Sequence, residues 1–365
     1  MTMRQTTLSS IALASLLVAC GGAGTTADPD ASADAPVVVT VDAAPTPPDA
    51  LPEPVCDDLD EVIGLADQIA ANNASFRGRY PIVLAHGFFG FDQVGPLSYF
   101  NGAEEALREA GFGAYVTAVE PIASSAETRG PQLGNQIACI ATLSGAGKVN
   151  LVGHSQGGLD ARVVAADPRY APYVASVTTV STPHRGTLVA DAALGLVPDG
   201  EVSDTLLDAI ADFWGYLVGA PDNDAAVRAS LEQLSVTHNP DFTLAFPDNP
   251  AIPYYSWAGR TVLTIVSFDY GGTECDDAQF ENPDARDIVD AELSLTYEFL
   301  NIMSGRNDGL VTLASAKWGT FMGCIPADHA DEIGLLSFPD TNPFSGYNHK
   351  EFFVQVADDL ETRGH

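Results

Sequence analysis

Residues 150–162 read NLVGHSQGGLDAR, and they place Ser155 between Gly153 and Gly157 directly after a short apolar run. That symmetry points to a steric demand centred on the serine. A chain that leaves a strand and enters a helix within one residue must reverse sharply, so the serine is forced into a strained backbone conformation. Side chains two residues to either side would collide across the turn, which glycine avoids. The hydroxyl is left exposed at the carboxyl end of the strand, where it can act as a nucleophile.

The flanking sequence supplies the strand and helix that such a turn requires. Val149–Val152 is strand-like, apolar apart from Asn150, and helical spacing opens at about Gln156. Upstream, helical spacing covers 61–71, 103–110 and 131–143, while 80–85 and 114–119 are strand-like. Downstream, 174–180 is a further strand, and the mostly apolar segment Phe299–Met303 reads as a late one. Unbroken apolar strands alternating with helices predict an α/β fold with a mostly parallel sheet covered on both faces.

A serine at its free pKa is a weak nucleophile. It needs a base, and the base needs a carboxylate to orient it. After this kind of turn the chain order is serine, acid, histidine. Asp308, in SGRNDGLV (304–311), sits on a glycine-containing turn, and His329 follows in the loop-like CIPADHADE (324–332). We assign Asp308 as the acid and His329 as the base, with His349 as the rival base. His154 should pack beneath the turn, and His184 precedes the acid, so a loop-stabilising bond suits it better. The oxyanion of a tetrahedral intermediate needs backbone donors. The Gln156 amide, at a helix start, is one, and the Phe88 amide, in HGFFG (86–90) after the first strand, is the other.

Composition limits the partners. The 365-residue chain carries 16 Lys and Arg against 49 Asp and Glu, a formal charge of −33. No positive footprint is available for nucleic acid or for docking on anionic lipid headgroups. At the N-terminus, Arg4, the apolar run 11–19 and the ending Leu-Val-Ala-Cys20 resemble a bacterial lipoprotein signal peptide over 1–20. Acylated Cys20 would then anchor the chain to a membrane, giving an outer-membrane or cell-surface lipoprotein; plain secretion is the alternative. Residues 21–55, rich in Pro, Ala and Asp, form no core and read as an extended tether to a folded domain over 56–365. Cys56, Cys139, Cys275 and Cys324 permit three disulfide pairings, of which 56 with 139 and 275 with 324 is preferred.

Taken together and in order, YPIVLAHGFFG, KVNLVGHSQGGLDAR, ASVTTVSTPHRG, PYYSWAG, NDGLV and HADEIG resemble the secreted bacterial true lipases of the Pseudomonas and Burkholderia type, over about residues 79–345. The resemblance implies an α/β-hydrolase fold and hydrolysis of carboxylic esters, notably triacylglycerols, at an interface. A helical lid is implied in the insertion at about 187–245, where Leu206, Ile210, Phe213, Trp214 and Leu217 recur at helical spacing. The family's nucleophile, acid and base fall on Ser155, Asp308 and His329, and its oxyanion donors on Phe88 and Gln156. A structural calcium is implied, held by Asp331 and by Asp287 or, second, Asp290, with carbonyls near Leu335 and Pro339. No organic cofactor is implied; a dedicated foldase is a possible partner, and a monomer is expected. The alternatives are a short-chain esterase or polyester depolymerase on the same machinery, and a non-catalytic surface binding module.

Overall fold

The computed structural model describes residues 54–365 apart from 73–74, 89–92, 95–96, 120–124, 198–202, 204, 209, 211–223, 265–274, 276–286 and 336–339. The expected signal peptide, Cys20, most of the tether, Phe213, Trp214, Leu217 and Pro339 lie outside the described residues.

Six parallel strands form the central sheet: β1 (Arg77–Ala85), β2 (Phe112–Val116), β3 (Val149–His154), β4 (Val174–Val180), β5 (Tyr254–Gly259) and β6 (Thr320–Ile325). Their spatial order is β6-β5-β4-β3-β1-β2, every pair parallel. The chain runs outward from β1 to the edge strand β2, then returns past β1 to β3 and steps away in the other direction. The crevice at the carboxyl ends of β1 and β3 is therefore the point where winding reverses, the usual binding location in such sheets.

The apolar runs in β3 and β4 follow from burial on both faces: every residue of each is buried. One face packs on α4 (Ala126–Leu143) and α5 (Gln156–Ala166), through Val83, Leu151, Val177, Ile137 and Val164. The other packs on α3 (Ala103–Glu109) and the C-terminal α10 (His349–Thr362), through Leu84, Val152, Leu107, Phe352 and Phe353. The insertion contributes α6 (Leu188–Ala193), α7 (Asp224–Leu234) and α8 (Asn239–Ala245). Its start meets the end of α7 where the Thr187 amide donates to the Leu234 carbonyl at 2.7 Å.

Phe299–Met303 is not a strand. It is the end of helix α9 (Ser294–Met303), with Phe299 and Leu300 buried while Ile302 and Met303 point outward. The segment over 61–71 is two helices, Leu59–Ile63 (α1) and Leu65–Ala71 (α2), divided by Gly64 at φ 57°. Helix α4 starts five residues before the expected Pro131, which lies inside it. Disulfides join Cys56 to Cys139 and Cys275 to Cys324, the preferred pairing.

Candidate active site

Ser155 stands between β3 and α5 with φ 55° and ψ −129°, one of two non-glycine residues with positive φ among the described residues. The flanking glycines are accounted for by close approach. A Cβ on Gly153 would lie 2.6 Å from the Gly157 carbonyl group, and one on Gly157 would lie 2.3 Å from the Ala85 carbonyl oxygen. The turn therefore sits directly against the end of β1.

The structure brings the three residues selected from sequence to this edge of the sheet. His329 Nδ1 lies 2.8 Å from Asp308 Oδ2, and the His329 amide donates to the Asp308 carbonyl at 2.9 Å. Asp308 Oδ1 accepts from the amides of Leu310 and Val311, at 2.9 and 2.7 Å. Burial alone would raise the Asp308 pKa, but His329 and those two amides hold it below the ordinary carboxylate value, so it stays ionised. Ser155 and His329 line one cavity, whose walls are otherwise mostly apolar: Phe88, Val189, Leu234, Leu310, Val311 and Ile333 among them.

The rival histidine is engaged elsewhere. His349 Nε2 is 2.8 Å from the Asn101 carbonyl oxygen. His184 Nε2 is 3.0 Å from Thr179 Oγ1 and its ring stacks on Trp318, the loop-bracing role expected of it. His154 is buried under the turn, also as expected.

What sequence reasoning missed is the network beneath. His154 lies 2.7 Å from the Tyr99 hydroxyl through Nδ1 and 3.0 Å from Glu332 Oε2 through Nε2. The Ser181 hydroxyl donates to the other Glu332 oxygen, so this buried acid ties together the ends of β3 and β4. Burial, then the Asp308 charge, hold Glu332 well above the ordinary carboxylate range. Burial likewise keeps His154 well below the ordinary histidine value.

Arg129 on α4 is fully buried against Asp160, 2.7 Å away. It also donates to the carbonyls of His86 and Gly87, at 3.0 and 3.1 Å, and to the Gln156 side chain at 3.2 Å. One guanidinium thus braces both segments selected as oxyanion donors. In a chain so acidic, Glu332 and Asp160 look like surface charges, and no spacing rule marks them as buried.

An acidic group lies next to the His329 loop. Carboxylate oxygens of Asp290, Asp328 and Asp331 lie within 4.8 Å of one another. Asp287 joins them through Asn342, whose amide donates to Asp287 at 2.7 Å and to Asp331 at 3.1 Å. Burial, then Asp331, push Asp287 up to about 8; burial and Asp331 push Asp290 up to about 6. Asp287 Oδ2 and Asp290 Oδ2 are buried without a hydrogen-bond partner among the described residues. Buried, mutually repelling, partly orphaned carboxylates fit a hard cation that takes oxygen ligands. Asp328 was not selected from sequence; its spacing of three from Asp331 is the only signal that could have shown it.

Fold and site together define an α/β-hydrolase, and residues 80–250 match the model of the alpha/beta hydrolase fold. A triacylglycerol lipase of Pseudomonas fragi is 33% identical over 80% of this chain and 99% of its own length. That of Burkholderia plantarii is 33% identical over 71% and 80%, and that of Vibrio cholerae 31% over 74% and 85%. The chain belongs to the bacterial triacylglycerol lipase family and is a carboxylic ester hydrolase. A Staphylococcus hyicus lipase structure shares the fold at a TM-score of 0.54 and 18% identity, covering 80% of this chain and 97% of its own.

Proposed function

We propose that the enzyme hydrolyses long-chain acylglycerols through an acyl-enzyme at Ser155. The observation that carries this is the shared apolar cavity, which holds Ser155 and His329 while Asp308 grips the far side of the imidazole. Ser155 Oγ attacks the ester carbonyl and its proton passes to His329 Nε2. The resulting imidazolium is stabilised by ionised Asp308, which also fixes the ring. The Phe88 and Gln156 amides receive the charge that develops on the carbonyl oxygen. His329 returns the proton to the leaving alcohol, and the same base then activates water, which releases the fatty acid. The apolar walls suit an acyl chain and exclude water from the intermediate.

Asp287, Asp290, Asp328 and Asp331 would hold a calcium ion. Its role when bound is to neutralise the cluster and steady the loop that carries His329; no step of the reaction passes through it. The insertion at about 187–245 would serve as the lid over the cavity.

Fatty-acid release from emulsified long-chain triacylglycerol, set against hydrolysis of short soluble nitrophenyl esters, tests this reading. The wild type is expected to favour the emulsion, and Ser155→Ala to lose at least 10³-fold on both, by analogy with other triads, in about that order. Full activity in a folded Ser155→Ala protein would remove the proposal.

A further inference from the structure

The two proposed oxyanion donors both lean on α7, a helix of the insertion. The Gln156 side chain donates from Nε2 to Gln233 Oε1 at 3.3 Å, and Gln233 lies at the end of α7. Gln233 in turn closes on the start of α4. Its Oε1 accepts from the Ala126 amide at 2.7 Å, and its Nε2 donates to Glu127 Oε2 at 3.2 Å. Phe88, 4% exposed, packs in one apolar cluster with Leu231 and Leu234 of the same helix.

We infer that Gln233 is a positioning residue, which fixes the oxyanion donors from the insertion side. The Gln156 amide group is gripped at both ends: Arg129 donates into its oxygen and Gln233 accepts from its nitrogen. A side chain held at both ends cannot rotate without breaking a buried bond, so the backbone N–H at the head of α5 is held in one orientation. Gln233 itself is 7% exposed with three hydrogen bonds through its amide. Losing it leaves the Ala126 N–H and the Gln156 Nε2 buried and unpaired, which the structure would relieve by shifting one of them. The shift nearest the reaction is that of Gln156. Oxyanion stabilisation depends on donors aimed at where charge develops, so a small misalignment costs rate and leaves ground-state binding intact. This inference rests on the nucleophile and oxyanion assignments above.

The test uses the whole enzyme on a soluble nitrophenyl ester, with kcat and KM measured separately. Gln233→Met keeps the length and packing of the side chain and removes its bonds. It is expected to lower kcat about tenfold, a part of the loss seen when a whole oxyanion donor is removed, with KM unchanged within about twofold. In a Gln156→Met background, which retains the backbone amide, Gln233→Met should cause no additional loss of kcat. An unimpaired Gln233→Met, or losses that multiply in the double variant, overturns the inference. Should Gln233→Met fail to fold, the exposed Glu127→Ala releases Gln233 from the surface side. It should lower kcat about threefold at constant KM, a fraction of the misalignment cost, and full kcat there overturns the inference equally. Ser155→Ala, run in parallel, separates the two readings. Activity in that variant overturns the nucleophile and this inference together, whereas an inactive Ser155→Ala beside an unimpaired Gln233→Met overturns this inference alone.

Discussion

Two of the chain's seven histidines meet an acidic side chain beside the serine: His154 is bonded at both nitrogens, to Tyr99 and Glu332, whereas His329 has Asp308 on Nδ1 and shares the cavity with Ser155. Asp308→Asn keeps the shape of that arrangement but presents an amide to Nδ1, which selects the wrong tautomer. We expect kcat to fall on the order of 10⁴-fold with the fold intact. His349→Ala should do the reverse: kcat within about threefold of wild type and a lower melting temperature, from the loss of one buried bond worth about 1 kcal/mol. A large kcat loss in His349→Ala with Asp308→Asn unaffected would reverse the assignment of the base. Ser155, Asp308 and His329 were legible in the sequence because a strained turn and a fixed chain order constrain them locally. Tyr99, Arg129, Glu332 and Gln233 were not, because their roles exist only once β1, β3, β4 and α7 converge.

The run Phe299–Met303 shows why elements are harder to read than turns. Four apolar residues around Asn301 fit a buried strand and a helix end equally well, and periodicity cannot choose between them. One-sided burial in α9 decides it, a property of packing and not of the run itself. The disulfide preference held for Cys56 and Cys139, which tie the start of the described chain to α4 across a separation of 83 residues. Closing so long a loop restricts the unfolded chain strongly. Cys56→Ser should therefore cost about 4.5 kcal/mol by the loop-entropy estimate, read as a lower denaturation midpoint, with kcat unchanged. Equal midpoints for variant and wild type would contradict it.

Charge dominates behaviour at the scale of the whole molecule. Four carboxylates meet beside the His329 loop in a protein already at −33. Without a cation, Asp287 and Asp290 keep protons up to about 8 and about 6. The unfolded chain releases its own near the free aspartate value of about 3.9. The folded state then binds the extra protons, so this contribution to stability is fully present below about pH 4 and is lost as pH rises toward about 8. In EDTA the melting temperature should fall across that window, and calcium should restore it by a margin that grows with pH. Parallel melting curves with and without calcium would argue against a cation here. The family resemblance pointed to Asp287 and Asp331, and Asp328 joins them in the folded loop.

Helix α4 begins beside the cavity and runs away from it. Cys139 lies ten residues beyond Arg129, about 15 Å further along the axis at the usual helical rise. Cys56, bonded to Cys139, is thus fastened to α4 well away from Arg129, so a disturbance at that bond reaches the site only along the length of the helix.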